Sequence, residues 1–438
     1  MLRFRRYIKN ENRISLFNSA NITNVTIVYV AISYLVFIFG PLTFTHRGNM
    51  WVLFYLVFYL IGLKCGQMVG ERIDISSYKI SLLYDYRHFK LLTIAGIFLG
   101  IVLSFADMNS VFSGNTIESI IRGLVNPAIG YADHLGMGRN VWLSRLRIYT
   151  GPLTILAVTT CVYKLKETSI IEKWLLLIYV ITEASSTIMI GVNFGLFRVF
   201  ILIAIPFLLS KEISLKRLKQ KEALLLIAPL LVVLSFIVFY FFHSILSRMG
   251  WTSIQQSFLG VRIDRNHLLM RLPFLFSGPI LFFSFYLSHG FEGFAIAQGV
   301  DFQTTFGFGA GRSLLSIPYM FGVDLFPRTY MYRIQDQWDP FVTWHTSFTW
   351  IANDIHFVGV IPYLFVISFL FTVIFREAKK GDFLAVSIIP FYVIMYLFLP
   401  LNNIVMIGRY LHVPFVALHL LWFVQRLMMI KRYNYCEW

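Results

Sequence analysis

Charge is what this sequence has least of. Asp, Glu, Lys and Arg make up 14% of its 438 residues, where an ordinary soluble domain carries about 25%. That shortage excludes a water-soluble globular class. Cysteine is scarce too: Cys65, Cys161 and Cys436 lie far apart, which removes a disulfide framework and any cysteine-based metal spacing. The histidines show no HExxH or comparable ligand spacing. Residues 1–23 are polar and basic without an apolar core, so no cleavable signal peptide is expected. Internal repeats and low-complexity tracts are also lacking.

Apolar residues are what fills the chain, at 57%. Runs near 20 residues recur at about 24–42, 48–65, 91–106, 148–163, 174–192, 196–210, 223–242, 352–375, 383–399 and 404–424. Each is long enough to cross a hydrocarbon core of roughly 30 Å as a helix. The fold class read from this pattern is an all-α polytopic membrane protein with about ten transmembrane helices. Residues 1–438 form one membrane domain with two long connectors, 107–147 and 243–351.

The formal net charge of +16 is informative through its distribution, and it is not read as nucleic-acid binding. Arg3, Arg5, Arg6, Lys9 and Arg13 place the N-terminus in the cytoplasm, and alternate connectors are then basic. KLKETSIIEK, KEISLKRLKQK, REAKK and the C-terminal QRLMMIKR all fall inside, which makes the chain N-in and C-in. The apolar segment 272–287 conflicts with this parity if it crosses once. It is therefore expected as an apolar helix or re-entrant hairpin on the outer face. A pair of extra spans would raise the count to twelve.

Once sides are assigned, every lysine from Lys9 to Lys431 falls inside, and the basic residues left outside are all arginine. The guanidinium fork binds phosphate or carboxylate bidentately and stays charged at low dielectric, which an ammonium does less well. An arginine-lined outer cavity for an anionic ligand is the expectation. Arg198 and Arg409 are placed about five residues into their spans, where an unpaired charge is costly. Arg262, Arg265, Arg271 and Arg312 lie in the large outer loop, and Glu183 is expected to bridge to a membrane arginine. GFGAGR at 307–312 is glycine-rich but lacks the Lys-Ser/Thr of a P-loop, and reads as a turn. His345, Asp354 and His356 cluster before the eighth span as candidate bases for a sugar hydroxyl, with interfacial anchoring as the competing account.

FSGPILFFSFYL, TSFTWIANDIHFVGVIPY and GLFRVFILI, together with the late large outer loop, resemble the O-antigen and capsule repeat-unit polymerases, the Wzy family. The likeness covers the whole chain in layout and three short stretches in letters. The spacing of Asp354 to Gly359 departs from the family pattern. The resemblance implies a GT-C-like bundle in the bacterial inner membrane, with its active site facing the periplasm. It also implies a metal-independent glycosyltransferase without cofactor, acting on undecaprenyl-pyrophosphate-linked oligosaccharides. A chain-length regulator and a flippase in the same membrane would be its partners. In that reading Arg198, Arg262, Arg265, Arg271, Arg312 and Arg409 bind the pyrophosphate, and His345, Asp354 and His356 are the candidate bases. An O-antigen ligase, for which His345 would be the counterpart of a loop-end histidine, and a lipid-linked oligosaccharide flippase or transporter remain the alternatives.

Overall fold

The computed structural model describes residues 17–73, 86–111, 116–136, 140–211, 220–250 and 253–436. The basic N-terminal tail and most of KEISLKRLKQK lie outside them. The described chain is almost wholly helical. Its helices are α1 (Ser19–Phe39), α2 (Met50–Arg72), α3 (Tyr86–Val111), α4 (Thr116–Val125), α5 (Pro127–Gly136), α6 (Val141–Tyr163), α7 (Ile170–Met189), α8 (Phe194–Ser210) and α9 (Gln220–Met249). They continue with α10 (Phe274–Ala297), α11 (Arg312–Tyr319), α12 (Tyr330–Arg333), α13 (Ser347–Lys379), α14 (Phe383–Phe398), α15 (Ile404–Ile407) and α16 (Arg409–Cys436). Three short strands, β1 (Leu42–Thr43), β2 (Ser257–Phe258) and β3 (Val261–Ile263), form one antiparallel sheet in the order β1-β3-β2. Seven of the described helices are long and apolar enough to cross a membrane, and α8 and α14 are shorter apolar helices. The protein is an all-α polytopic membrane protein.

Small residues set the closest packing, as expected where lipid offers no hydrophobic drive between helices. Gly62, Gly66 and Gly70 make a stripe along α2 that faces Ile361, Phe365 and Phe369 of α13. The Tyr59 hydroxyl donates to the Phe357 carbonyl at 2.9 Å in the same seam. Numbers rise together along both helices, so α2 and α13 run parallel. By contrast α3 and α6 are antiparallel, since Gly96 faces Ala157 while Asp107 meets Arg147.

These pairings give the bundle two unlike ends. At one end Lys64 reaches Asn24, Tyr86 reaches Glu172, and Arg426 pairs with Glu377 and Asp382. Lys90, Lys164, Lys173, Lys211, Lys379 and Lys380 sit at that same end, next to the helix termini gathered there. The opposite end carries the β-sheet, α4, α5 and the whole stretch from 253 to 346, and its basic residues are arginines. The Lys/Arg segregation read from charge parity thus reappears in helix packing, which used no charge rule.

The segment 272–287 belongs to α10, a continuous helix rather than a hairpin. Pro273 occupies the N-cap and Pro279 the second turn, where the missing N–H does not stop the helix. By length and composition α10 is one of the seven helices that could span a membrane. Both its flanks nevertheless contact the arginine end. His267 meets the Phe39 carbonyl and Asp264 the Pro41 carbonyl before α10, and Thr305 bonds to Asn353 after it. Between these points Phe291 packs on Tyr34 and Phe37, and Phe294 on Tyr59, Phe348 and Phe357. The helix enters and leaves at one end of the bundle.

Candidate functional site

Arg198 lies in the second turn of α8, in a cleft lined by Ser104, Arg147, Thr150, Tyr179, Glu183 and Tyr410. It is not a free cation there. Its guanidinium donates to Glu183 at 2.5 Å, Arg147 donates to Glu183 and to Asp107 (2.9 Å), and Ser104 closes on Glu183. Asp107 is fully buried and Glu183 nearly so. Two carboxylates against two guanidinia leave this network close to neutral, with both acids dependent on their partners. Arg198 and Glu183 are the bridge that the sequence weighed. Arg147 and Asp107 complete it, and sequence reasoning missed their part because the span was drawn from 148 whereas Asn140 caps a helix that begins at Val141.

Arg409 is differently placed from expectation. The helix breaks at Gly408, so Arg409 opens α16 and is exposed rather than buried five residues inside a span. Its only hydrogen bond among the described residues is to Ser316 Oγ, at 2.8 Å. Ser316 stands one turn after Arg312 on α11, so their Cβ atoms share one helix face roughly 6 Å apart, and the Arg409 guanidinium reaches that face from α16 through Ser316. Arg312 donates to the Pro340 carbonyl at 2.6 Å and lies over the Phe341 ring. Burial lowers its pKa against an opposing pull from Asp339, yet it forms no ion pair among the described residues. The neighbour of Arg409, Tyr410, stacks under Arg147, so the Arg312–Arg409 face is continuous with the cleft.

The remaining loop arginines are separate. Arg262, Arg265 and Arg271 are exposed along β3 and the turn that leads into α10. Arg265 donates to the Ile254 carbonyl. None of the three meets a carboxylate among the described residues, and none shares a contact with Arg198, Arg312 or Arg409. The six arginines expected to hold one anion fall into three groups.

The candidate bases are also divided. Asp354 is taken up by the glycine-rich loop: Thr305 Oγ1 and the Gly307 and Gly309 amides donate to its carboxylate, the amides at 2.9 Å. That loop is a nest for anions, and it holds the chain's own carboxylate. Gly307, at φ +88, supplies the left-handed step that aims the amides inward. His345 is sealed, at 1% exposure, with neither ring nitrogen hydrogen-bonded. Burial, with His289 and Arg312 nearby, lowers its pKa to about 3. A neutral, enclosed ring does not reach a substrate. His356 is half-buried beside Phe302 and Phe357, at φ +61 and ψ 164, a conformation that is essentially reserved for glycine. It breaks α13 into two helices, and residues 357–379 alone are long enough to span. Of the three, only His356 combines partial exposure with a strained backbone.

A further pair escaped the sequence reading. His46, in the turn between α1 and α2, meets the buried Glu292 of α10 at 2.8 Å. No short-range signal links residues 246 positions apart. Among the described residues no three His, Cys, Asp or Glu side chains converge as a metal site would require. No protein-family model, no curated protein and no solved structure matches this chain.

Proposed function

We propose that the protein is a periplasm-facing glycosyltransferase that polymerises undecaprenyl-pyrophosphate-linked oligosaccharide repeat units into a surface polysaccharide. The observation that carries this reading is the pair Arg312 and Arg409, joined through Ser316, neither in an ion pair among the described residues, at the end of the bundle where the described basic residues are arginines. In this reading ten helices cross the bacterial inner membrane, N-in and C-in, with the arginine end outward and α10 resting on that face. A lipid pyrophosphate leaves as a stable anion, so positive charge placed where charge develops is the main catalytic requirement. Arg312 and Arg409 supply it. The neutral Asp107–Arg147–Glu183–Arg198 network stiffens the cleft wall beside them. His356 is the remaining candidate for the acceptor hydroxyl, while Asp354 positions the glycine loop. Arg262, Arg265 and Arg271 belong to the approach surface for the anionic substrate.

The lipopolysaccharide of a deletion strain tests the reading. A polymerase deletion caps lipid A–core with a single repeat unit. Uncapped core with polymer still present on its lipid carrier would mark a ligase, and repeat units trapped in the cytoplasm a flippase. Complementation with Arg409→Lys keeps the charge and loses the fork. Losing one charge-assisted contact to the transition state costs about 2–4 kcal/mol, roughly a 30- to 1000-fold drop in rate. Full-length polymer from Arg409→Lys at normal protein level would remove the clamp.

A further inference from the structure

A second pocket lies where the turn between α1 and α2 meets α10. Thr43, Thr45, His46, Glu292, Gln337 and Trp338 line it, and it shares no residue with the cleft around Arg147. Glu292 is 3% exposed, yet both its oxygens are committed to one residue. Oε1 accepts from the His46 ring at Nδ1 (2.8 Å) and Oε2 from the His46 backbone N–H (3.2 Å). A carboxylate on Nδ1 holds the proton there and leaves Nε2 as a lone-pair acceptor in the neutral ring. The His46 side chain is 39% exposed and Nε2 has no partner among the described residues. Arg47 is in the same electrostatic field, where Glu292 and Asp264 oppose the lowering of its pKa by burial.

A clasp between a turn and a helix needs only the contacts to Glu292. It does not need a cavity, nor a ring nitrogen kept open to it. The lining sets the Thr43 and Thr45 hydroxyls, the Gln337 amide and His46 beside an apolar side of Phe44, Val261, Ile296 and Trp338, a mixed surface that suits neither an acyl chain nor an anion facing a buried carboxylate. We infer that this pocket is a carbohydrate subsite taking one uncharged glycosyl residue of the substrate. A sugar hydroxyl donates to His46 Nε2, neighbouring hydroxyls meet Thr43, Thr45 and Gln337, and the apolar face of the ring lies along Trp338. Glu292 acts through His46 as a positioning residue. Which saccharide arrives there rests on the polymerase reading. The pocket chemistry does not.

The test uses the full chain in lipid nanodiscs, probed with the lipid-free repeat oligosaccharide released by mild acid from the host strain's lipid-linked units. Losing one hydrogen bond to a buried-carboxylate-oriented ring weakens binding about tenfold. His46→Gln should show that loss by calorimetry, with inorganic pyrophosphate binding unchanged, and Arg409→Lys should show the reverse. Gln337→Trp fills the mouth from an exposed position and should abolish oligosaccharide binding without touching the His46–Glu292 pair, so it decides if His46→Gln unfolds early. Wild-type protein that does not bind the oligosaccharide, or a folded Gln337→Trp that binds it fully, overturns the subsite. A deletion strain that still polymerises sinks the polymerase reading alone. Undiminished oligosaccharide binding by folded His46→Gln, beside an intact deletion phenotype, sinks the subsite alone.

Discussion

Arg147 and Arg312 carry the same side chain in opposite electrostatic settings. Arg147 holds two buried carboxylates, Asp107 and Glu183, so Arg147→Ala takes that guanidinium from Asp107 in a low-dielectric site and leaves Glu183 with Arg198 and Ser104. The expected loss is about 3–5 kcal/mol, read as a collapse of membrane abundance, and Arg147→Ala at wild-type abundance would contradict the network. Arg312 bonds a carbonyl and lies over a ring, with Asp339 in its field but in no ion pair among the described residues, so Arg312→Ala should lower polymer length at near-normal abundance. His345 gives a pH prediction. Its folded pKa, about 3, lies below the usual value near 6.5. Between these values the unfolded chain binds the extra proton, so its contribution is complete above about pH 6.5 and falls as the pH drops. The slope is at most about 1.4 kcal/mol per pH unit. Thermal unfolding at pH 7.5 and pH 5 should show the decline, and His345→Gln should flatten it. An unchanged slope in that variant would assign the decline elsewhere.

At the scale of elements, the α2–α13 seam and the break in α13 are the features most open to substitution. A Cβ at Gly66 would come within 2.1 Å of the Phe365 carbonyl oxygen, whereas one at Gly299 meets only the Ile296 carbonyl at 3.5 Å. Gly66→Ala should therefore cost about 1–3 kcal/mol and Gly299→Ala far less. Equal unfolding temperatures for the two would mean the helices separate freely. At His356 the strain amounts to about 1–3 kcal/mol. Gly and Ala both delete the ring, but only Gly relieves the positive φ. His356→Gly should unfold above His356→Ala, and the reverse order would show that the backbone there is unstrained. The glycines of IGLKCGQMVG stand four apart in the letters, but they were not singled out there as a packing stripe. Their partner was not legible either, because α13 lies about 300 residues away and helix periodicity does not say which faces meet.

For the whole molecule, orientation is the quantity to measure. In a background with Cys65, Cys161 and Cys436 replaced, single cysteines at the exposed positions Ser253, Val323 and Lys166 report the side of each end. An impermeant maleimide should label the first two in intact spheroplasts and Lys166→Cys only after lysis. The opposite pattern would turn the arginine end to the cytoplasm and remove the periplasmic site. The ten apolar runs were legible because each approaches the roughly 20 residues a span requires, although the helices extend past several of them, as where α6 begins at Val141 rather than 148. Arg409 was misplaced for the same reason: hydropathy runs through Gly408, and only the backbone turn there separates α15 from α16.

Composition and the spacing of apolar runs determined the class and the helices, since burial in hydrocarbon requires some 20 apolar residues and internally satisfied backbone. The separation of lysine from arginine was also in the letters, and packing placed it on two ends. Which arginines stay uncompensated was decided only by the tertiary structure. Arg198 and Arg409 read alike along the chain, as single cations near a span's start. One is neutralised by Glu183 and the other faces a serine. The difference arises because an ion pair depends on distance in space, and the helices that bring Asp107, Arg147, Glu183 and Arg198 together are joined by connectors whose lengths carry no record of that meeting. The His46–Glu292 pair has the same origin: α10 folds back over the turn between α1 and α2, and two residues 246 positions apart become neighbours.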